Sequence, residues 1–359
     1  MKIFNFSAGP ACLPQSVLKN ASAASINYKN SGISLMEMSH RSAEVMELFD
    51  KATLRVKNLL KIPNNYHVLW LQGGASLQFS MVPLNLLPDK GIADYIETGS
   101  WSTKAITECS RVGTVNISAS SKTENFTYIP KKLNQDKRSS YLHLTSNNTI
   151  FGTQFKNFPD PLNSNGYLVA DMSSDIFSKS IDVTKFGLIY AGAQKNMGPA
   201  GVTLVIIRED LVGLNYRDIP TMLNYKTHVM KESMFNTPPV FSLFVVNETL
   251  KWLEGIGGID AIEKINNKKA KKLYDEIDMN EHFRCPVRIE DRSNMNVPFT
   301  FRNKNYNDID FLKFCDRRGL KTLKGHRSVG GFRASIYNAM PEAGVEALII
   351  SMREFSKSL

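Results

Sequence analysis

The sequence predicts an α/β protein, a large domain on a mostly parallel sheet followed by a smaller C-terminal α/β domain. Three observations carry that prediction. Short apolar runs, VLWLQ (68–72), GYLVADMSS (166–174), GLIYAGAQ (187–194) and VTLVIIRED (202–210), are separated by helix or loop segments. Runs apolar on both faces suit a sheet covered on both sides. The pattern then changes after Cys285, where VPFTF (297–301) and GFRASIY (331–337) read as strands flanked by helices near 309–318 and 342–355. Finally, 359 residues amount to about two domains at ~150 residues each. The expected division is 15–263 for the large domain, with 1–14 and 264–359 forming the small one.

Taken in order, the first helix with a clear signature begins after Ser42. Val45, Leu48, Phe49, Ala52, Val56, Leu59 and Leu60 fall at helical spacing, Ser42 is a fitting cap and Glu44 sits in the first turn. The strand 68–72 stops at Gly73-Gly74, and a helix is expected over 75–87. ADYIETG (93–99) reads as a short strand ahead of Trp101. Strands are then expected to end near Asp171 and near Ala191, and in parallel sheets ligands bind beyond such ends. Past Pro238-Pro239 two helices run to about Ile277. The second is expected to place Ile262, Ile265, Leu273 and Ile277 on one face. Its lysines, Lys264, Lys268, Lys269, Lys271 and Lys272, alternate with apolar residues and read as a solvated face.

Composition excludes several classes. Hydrophobic residues make up 42%, enough for a buried core and too many for a disordered chain. The longest apolar run, Val202–Ile207, is far short of the ~20 residues of a membrane helix. MKIFNFSAGP lacks the apolar core of a signal peptide. The four cysteines are widely spaced with no C-x-x-C pair. That predicts free thiols, a cytoplasmic location and no metal site. The net charge of +10 admits a nucleic acid or anionic small substrates. The basic residues are scattered and no nucleic-acid motif appears, so no nucleic-acid or membrane partner is expected.

Three groups of residues carry chemistry. Gln72-Gly73-Gly74-Ala75-Ser76 joins a strand to a helix. Free amides at a helix start make an anion site, although the same residues also suit a plain tight turn. Asp171 and Lys195 each follow a predicted strand. A lysine there can bond covalently to an aldehyde, and a buried aspartate can keep a pyridine nitrogen protonated. Gly192, Gly198 and Gly201 favour a constrained loop around Lys195 over a solvated lysine. Trp101 offers a flat face for an aromatic ring or simply a core side chain. The third group is basic: His40-Arg41 before a helix, and His326-Arg327 with Arg333 in LKGHRSVGGFRAS. Arginine forks bind carboxylates and phosphates, though surface charge is the plainer reading. Asn236-Thr237 reads as a helix-entry turn, and Thr149 as a hydroxyl donor or a loop residue.

In order along the chain, FNFSAGPACLP, EMSHRS, QGGASLQFSMVPLNLL, TGSWS, NNTIFGTQF, VADMSSDIFS, YAGAQKNMGPAG, FNTPPVFS, RSNMNVPF and LKGHRSVGGFRASIYNAM resemble the phosphoserine aminotransferase family. The resemblance runs nearly end to end. It implies a fold-type-I enzyme, dependent on pyridoxal phosphate and working as a homodimer with shared active sites. Lys195 then corresponds to the lysine that holds the cofactor and Asp171 to the partner of its ring nitrogen. Trp101 corresponds to the stacking tryptophan and Thr149 to a further cofactor contact. Ala75, Ser76 and Gln194 correspond to phosphate contacts, joined by Asn236 and Thr237 from the second subunit. Arg333 corresponds to the arginine for the substrate α-carboxylate. His40, Arg41, His326 and Arg327 correspond to groups around the substrate's distal anion, with His40 and Arg41 crossing between subunits. The implied reaction interconverts O-phospho-L-serine and 2-oxoglutarate with 3-phosphohydroxypyruvate and L-glutamate. The alternative is an aminotransferase acting chiefly on 4-phosphohydroxy-L-threonine or another amino acid. Two departures stand out. Ser76 replaces an arginine found in some relatives, and 114–138 matches poorly.

Overall fold

The structure is a computed structural model and describes residues 2–214 and 216–359. In chain order its main elements are β1 (Phe4–Asn5), α1 (Gln15–Ala24), α2 (Ala43–Leu60), β2 (Tyr66–Leu71), α3 (Gly74–Leu86), β3 (Ile92–Glu97), α4 (Ser100–Cys109), β4 (Thr114–Ser120), β5 (Ser139–Thr145), β6 (Tyr167–Asp171), β7 (Phe186–Gly192) and β8 (Thr203–Arg208). There follow α5 (Tyr225–Met230), α6 (Val240–Gly255), α7 (Gly258–Met279), β9 (Phe283–Arg284), β10 (Asn296–Phe301), α8 (Asp308–Arg317), β11 (Leu320–Lys321), β12 (Phe332–Ser335) and α9 (Glu342–Ser356). Ser42 caps α2 as its sequence requires, its hydroxyl accepting from the Val45 amide.

A seven-stranded sheet of order β2-β8-β7-β6-β5-β3-β4 forms the framework. It is parallel except for β8, which runs antiparallel to both neighbours. The reason is the short 193–202 connection, which returns the chain as a hairpin and leaves no room for a helical crossover. Alternation along the strands separates two cores. On β6, Leu168 and Ala170 face one side and Tyr167 and Val169 the other. Helices α1, α2 and α6 cover the first face, and α3, α4 and α5 the second.

A third core gathers Phe4 and Phe6 from the N-terminal segment with α8, α9, the later half of α7 and strands β9 to β12. Phenylalanines 283, 299, 301, 311 and 332 pack there ring against ring. The N-terminal strand β1 pairs in parallel with β11, Phe4 opposite Leu320.

Helix α7 departs from the sequence expectation twice. Its buried line runs through Ile262, Asn266, Lys269, Leu273 and Ile277. Ile265 lies off that line and is 39% exposed. Lys269, expected on the solvated face, is fully buried. Its ammonium donates to the carbonyls of Ile336, Tyr337 and Met340 at 3.1, 2.8 and 3.0 Å. Three donors meeting three acceptors is how a buried lysine is satisfied without a carboxylate.

Candidate active site

The carboxyl ends of β2, β3, β5, β6 and β7 open on the same edge of the sheet, as parallel strands must. The loops that follow them, with Ala8-Gly9 and residues 326–333, enclose a cavity of about 650 Å³. Ala75, Ser76, Trp101, Thr149, Asp171, Gln194, Lys195, His326, Arg327 and Arg333 all line it. Their sequence separations are large, so only the sheet order brings them together.

Asp171 ends β6, and Lys195 lies in the turn just past the end of the paired strand β7, both lining the cavity. Asp171 Oδ1 accepts from the Ser173 amide at 2.9 Å and the Ser173 hydroxyl at 2.6 Å. That hydroxyl in turn accepts from the Gly192 amide at 3.0 Å, tying the two strand ends together. Both bonds fall on Oδ1, which leaves Oδ2 for a ligand. Burial pushes the Asp171 carboxyl up, while the Lys195 charge and the Ser173 bonds pull it back. Burial pushes the Lys195 amine down; Asp171 and Asp175 oppose this and Arg333 adds to it. Among the described residues the Lys195 amine has no hydrogen-bond partner. It stands 5.5 Å from the centre of the Trp101 ring. The ring's indole N–H donates to Thr149 Oγ1 at 3.0 Å, which fixes the plane of the ring.

The strand-to-helix turn is an anion cradle. Gly73 caps α3 with φ +83°, a left-handed conformation that glycine adopts without penalty, and no side chain caps the helix. The Ala75 and Ser76 amides of the first turn are therefore open to the cavity. On the opposite wall the Arg333 guanidinium donates to the Thr149 carbonyl at 3.1 Å and keeps its other donors for a ligand. His326 Nδ1 accepts from the Ser328 amide at 3.2 Å, so in the neutral ring the proton lies on Nε2. Burial, then Arg333, Arg327 and Lys104, hold the His326 pKa down, which favours that neutral donor.

Four of the expected residues lie outside the cavity of their own chain. Asn236 donates to Gln72 Oε1 at 3.3 Å, and Gln72 donates to the Thr237 carbonyl at 3.4 Å, just behind the cradle. His40 and Arg41 precede α2, where the Arg41 amide is bonded to Ser39 Oγ. The cavity also holds residues that the sequence did not single out: Ala8, Gly9, Ser100, Lys104, Ile150 and Ser173. Ser173 carried a signal, since it stands two residues after the singled-out aspartate, at the spacing of an Asx turn. Gly9 carried none. Its φ is +148°, and a Cβ there would lie 3.5 Å from Lys195 Cγ, but no spacing rule links residue 9 to residue 195.

The donor set fits pyridoxal phosphate: an amine for its aldehyde, an open carboxylate oxygen for its ring nitrogen, a fixed indole face for its ring and a helix start for its phosphate. The model of the family described as Aminotransferase class-V matches residues 3–348. A phosphoserine aminotransferase of Parabacteroides distasonis is 52% identical, with 99% of each chain covered. Among solved structures, the phosphoserine aminotransferase of Bacillus circulans subsp. alkalophilus superposes with a TM-score of 0.95 at 46% identity over 99% of both chains. A pyridoxal-phosphate-bound phosphoserine aminotransferase of Trichomonas vaginalis gives 0.93 at 41%, covering 98% of this chain and 100% of its own. With this likeness running from end to end and the cavity built from the residues that carry it, the chain belongs to the class-V aminotransferases and, within them, to the phosphoserine aminotransferase family.

Proposed function

We propose that the protein transfers an amino group between O-phospho-L-serine and 2-oxoglutarate, giving 3-phosphohydroxypyruvate and L-glutamate, in two half-reactions at one site. The observation that carries this is the polarity of the cavity. A lysine–aspartate pair lines it, and Arg333, His326 and Arg327 line the same space. Such a cavity suits a substrate with a reactive amine, a carboxylate and a distal anion.

When bound, pyridoxal phosphate supplies an aldehyde that carries the amino group and a ring that takes up electrons from the substrate's α-carbon. Lys195 would hold that aldehyde at rest. Once released, its amine, made less basic by burial, would remove the substrate's α-proton and deliver it to the cofactor's aldehyde carbon, the shift that leaves the amino group on the cofactor. Asp171 Oδ2 would keep the ring nitrogen protonated. Trp101 would fix the ring plane, while Ala75, Ser76 and Gln194 hold the phosphate. Arg333 would grip the α-carboxylate. His326 and Arg327 would hold the distal phosphate or carboxylate, so one pocket serves both amino acids.

We assign His40, Arg41, Asn236 and Thr237 to the cavity of a second copy, making the enzyme a homodimer. Exposed apolar side chains beside them support this: Met36 at 61%, Met230 at 70% and Phe235 at 43%. The separate core built from Phe4, Phe6 and residues 270–355 supports the division into 15–263 and 1–14 plus 264–359. The four unpaired cysteines support a reducing, cytoplasmic location. Among the described residues no helix is long and apolar enough to cross a membrane.

The test is glutamate release from O-phospho-L-serine and 2-oxoglutarate, alongside the absorbance of the purified protein. The expected result is turnover, with a cofactor band that changes on adding phosphoserine and returns with 2-oxoglutarate; both disappear in Lys195→Ala. Full activity in Lys195→Ala, or no response to phosphoserine in the wild type, would overturn the proposal.

A further inference from the structure

Helix α4 starts at the cavity with Ser100 and Trp101, and one turn on lies Lys104, at the i+3 position that shares a helix face with Trp101. An exposed lysine can pair with an acid four residues along its helix, and Glu108 stands there. That pairing is not made. Glu108 is engaged by Arg111 at 3.5 Å and by the Ser80 hydroxyl at 3.3 Å. The Lys104 ammonium instead turns back over the Trp101 ring, 4.8 Å from its centre, and the side chain lines the cavity. Among the described residues it meets no carboxylate within ion-pair distance. Its charge is also one of those that bear on His326, which lines the same cavity.

We propose that Lys104 is a specificity-determining residue, an exposed point charge lining the cavity that reads the second negative charge of a substrate phosphate. This rests on the amino-group transfer proposed above and goes beyond it. A phosphate monoester carries about −1.5 to −2 charges near neutrality, and the γ-carboxylate of glutamate carries one. Arginine forks hold either group through geometry, whereas a lysine ammonium responds mainly to charge. Lys104 therefore favours phosphoserine over glutamate without taking part in proton transfer.

The test is steady-state kinetics of the cofactor-loaded enzyme in both directions, comparing wild type, Lys104→Gln and Lys104→Arg. In Lys104→Gln the KM for O-phospho-L-serine is expected to rise about five- to tenfold, within the range of one ordinary polar contact. The KM for L-glutamate should change less than about twofold, with kcat nearly constant for both, and Lys104→Arg should restore most of the loss. No change in either KM, or an equal rise in both, would overturn the assignment. A wild type that does not turn over phosphoserine would remove the underlying reaction, and this inference with it. A wild type that does, beside an unchanged Lys104→Gln, removes the inference alone.

Discussion

Ser173 helps hold the ionised form of Asp171 against its burial, because its hydroxyl bridges that carboxylate and the amide of Gly192. Replacing it with alanine leaves Asp171 buried with one hydrogen bond fewer to its ionised form, so its pKa rises further. Ser173→Ala is therefore expected to lower kcat by about tenfold, the effect of one charge-assisted bond. The acid limb of the pH–kcat profile should move to higher pH, since the carboxylate then ionises later. An unmoved limb with only a changed KM would show that Ser173 serves binding alone. At this scale the sequence was readable where a residue type is rare or punctuated. The glycines around Lys195 marked a constrained loop, whereas Trp101, one of only three tryptophans, suited a core side chain as well and was singled out by the family resemblance. Lys104 was not, because one lysine among many carries no mark until its helix is docked against the cavity.

At the next scale, helix α7 places a lysine in the interior, and that location has a measurable cost. Burial lowers the Lys269 amine from 10.5 to about 7. Between those values the unfolded chain binds the extra proton, so this group's contribution to stability rises with pH and is smallest below pH 7. Denaturant titrations of wild type and Lys269→Met should therefore diverge, the wild type gaining roughly 2 kcal/mol on its variant between pH 7 and 9. Parallel pH profiles would mean that the three carbonyls keep the ammonium charged throughout. The helix itself was legible from its apolar spacing, but the face chosen for Lys269 was not. Lysine is solvated by default, and only a turn that presents three carbonyls to one point reverses that. The direction of β8 was likewise hidden, since an apolar strand reads the same both ways. The α2 cap could be read, and so could strand ends near Asp171 and near Ala191, one residue short of the observed Gly192, because local chemistry sets them.

For the whole molecule, the proposed sharing of sites makes a prediction that no single chain can satisfy. Lys195→Ala removes a site's own base, and Arg41→Ala removes what one chain lends to the other. Each homodimer should be nearly inactive on phosphoserine. In a mixed dimer the Arg41→Ala chain keeps its lysine and receives an arginine from its partner. Unfolding and refolding the two variants together should recover about one quarter of wild-type activity, since half the dimers are mixed and each has one intact site. No recovery would place Arg41 within its own chain's site, and a fully active Arg41→Ala homodimer would place it outside catalysis. The pairing of β1 with β11 sets a timetable as well. Phe4 finds its strand partner only at Leu320, so β1 stays without that partner until synthesis has passed β11. At about 5–20 residues per second that wait lasts roughly 15–60 s. Ala8 and Gly9, which follow β1, close the wall beside Lys195. The pocket is thus finished only after β11 and Arg333 have been made, and a cofactor captured earlier would meet an unfinished wall.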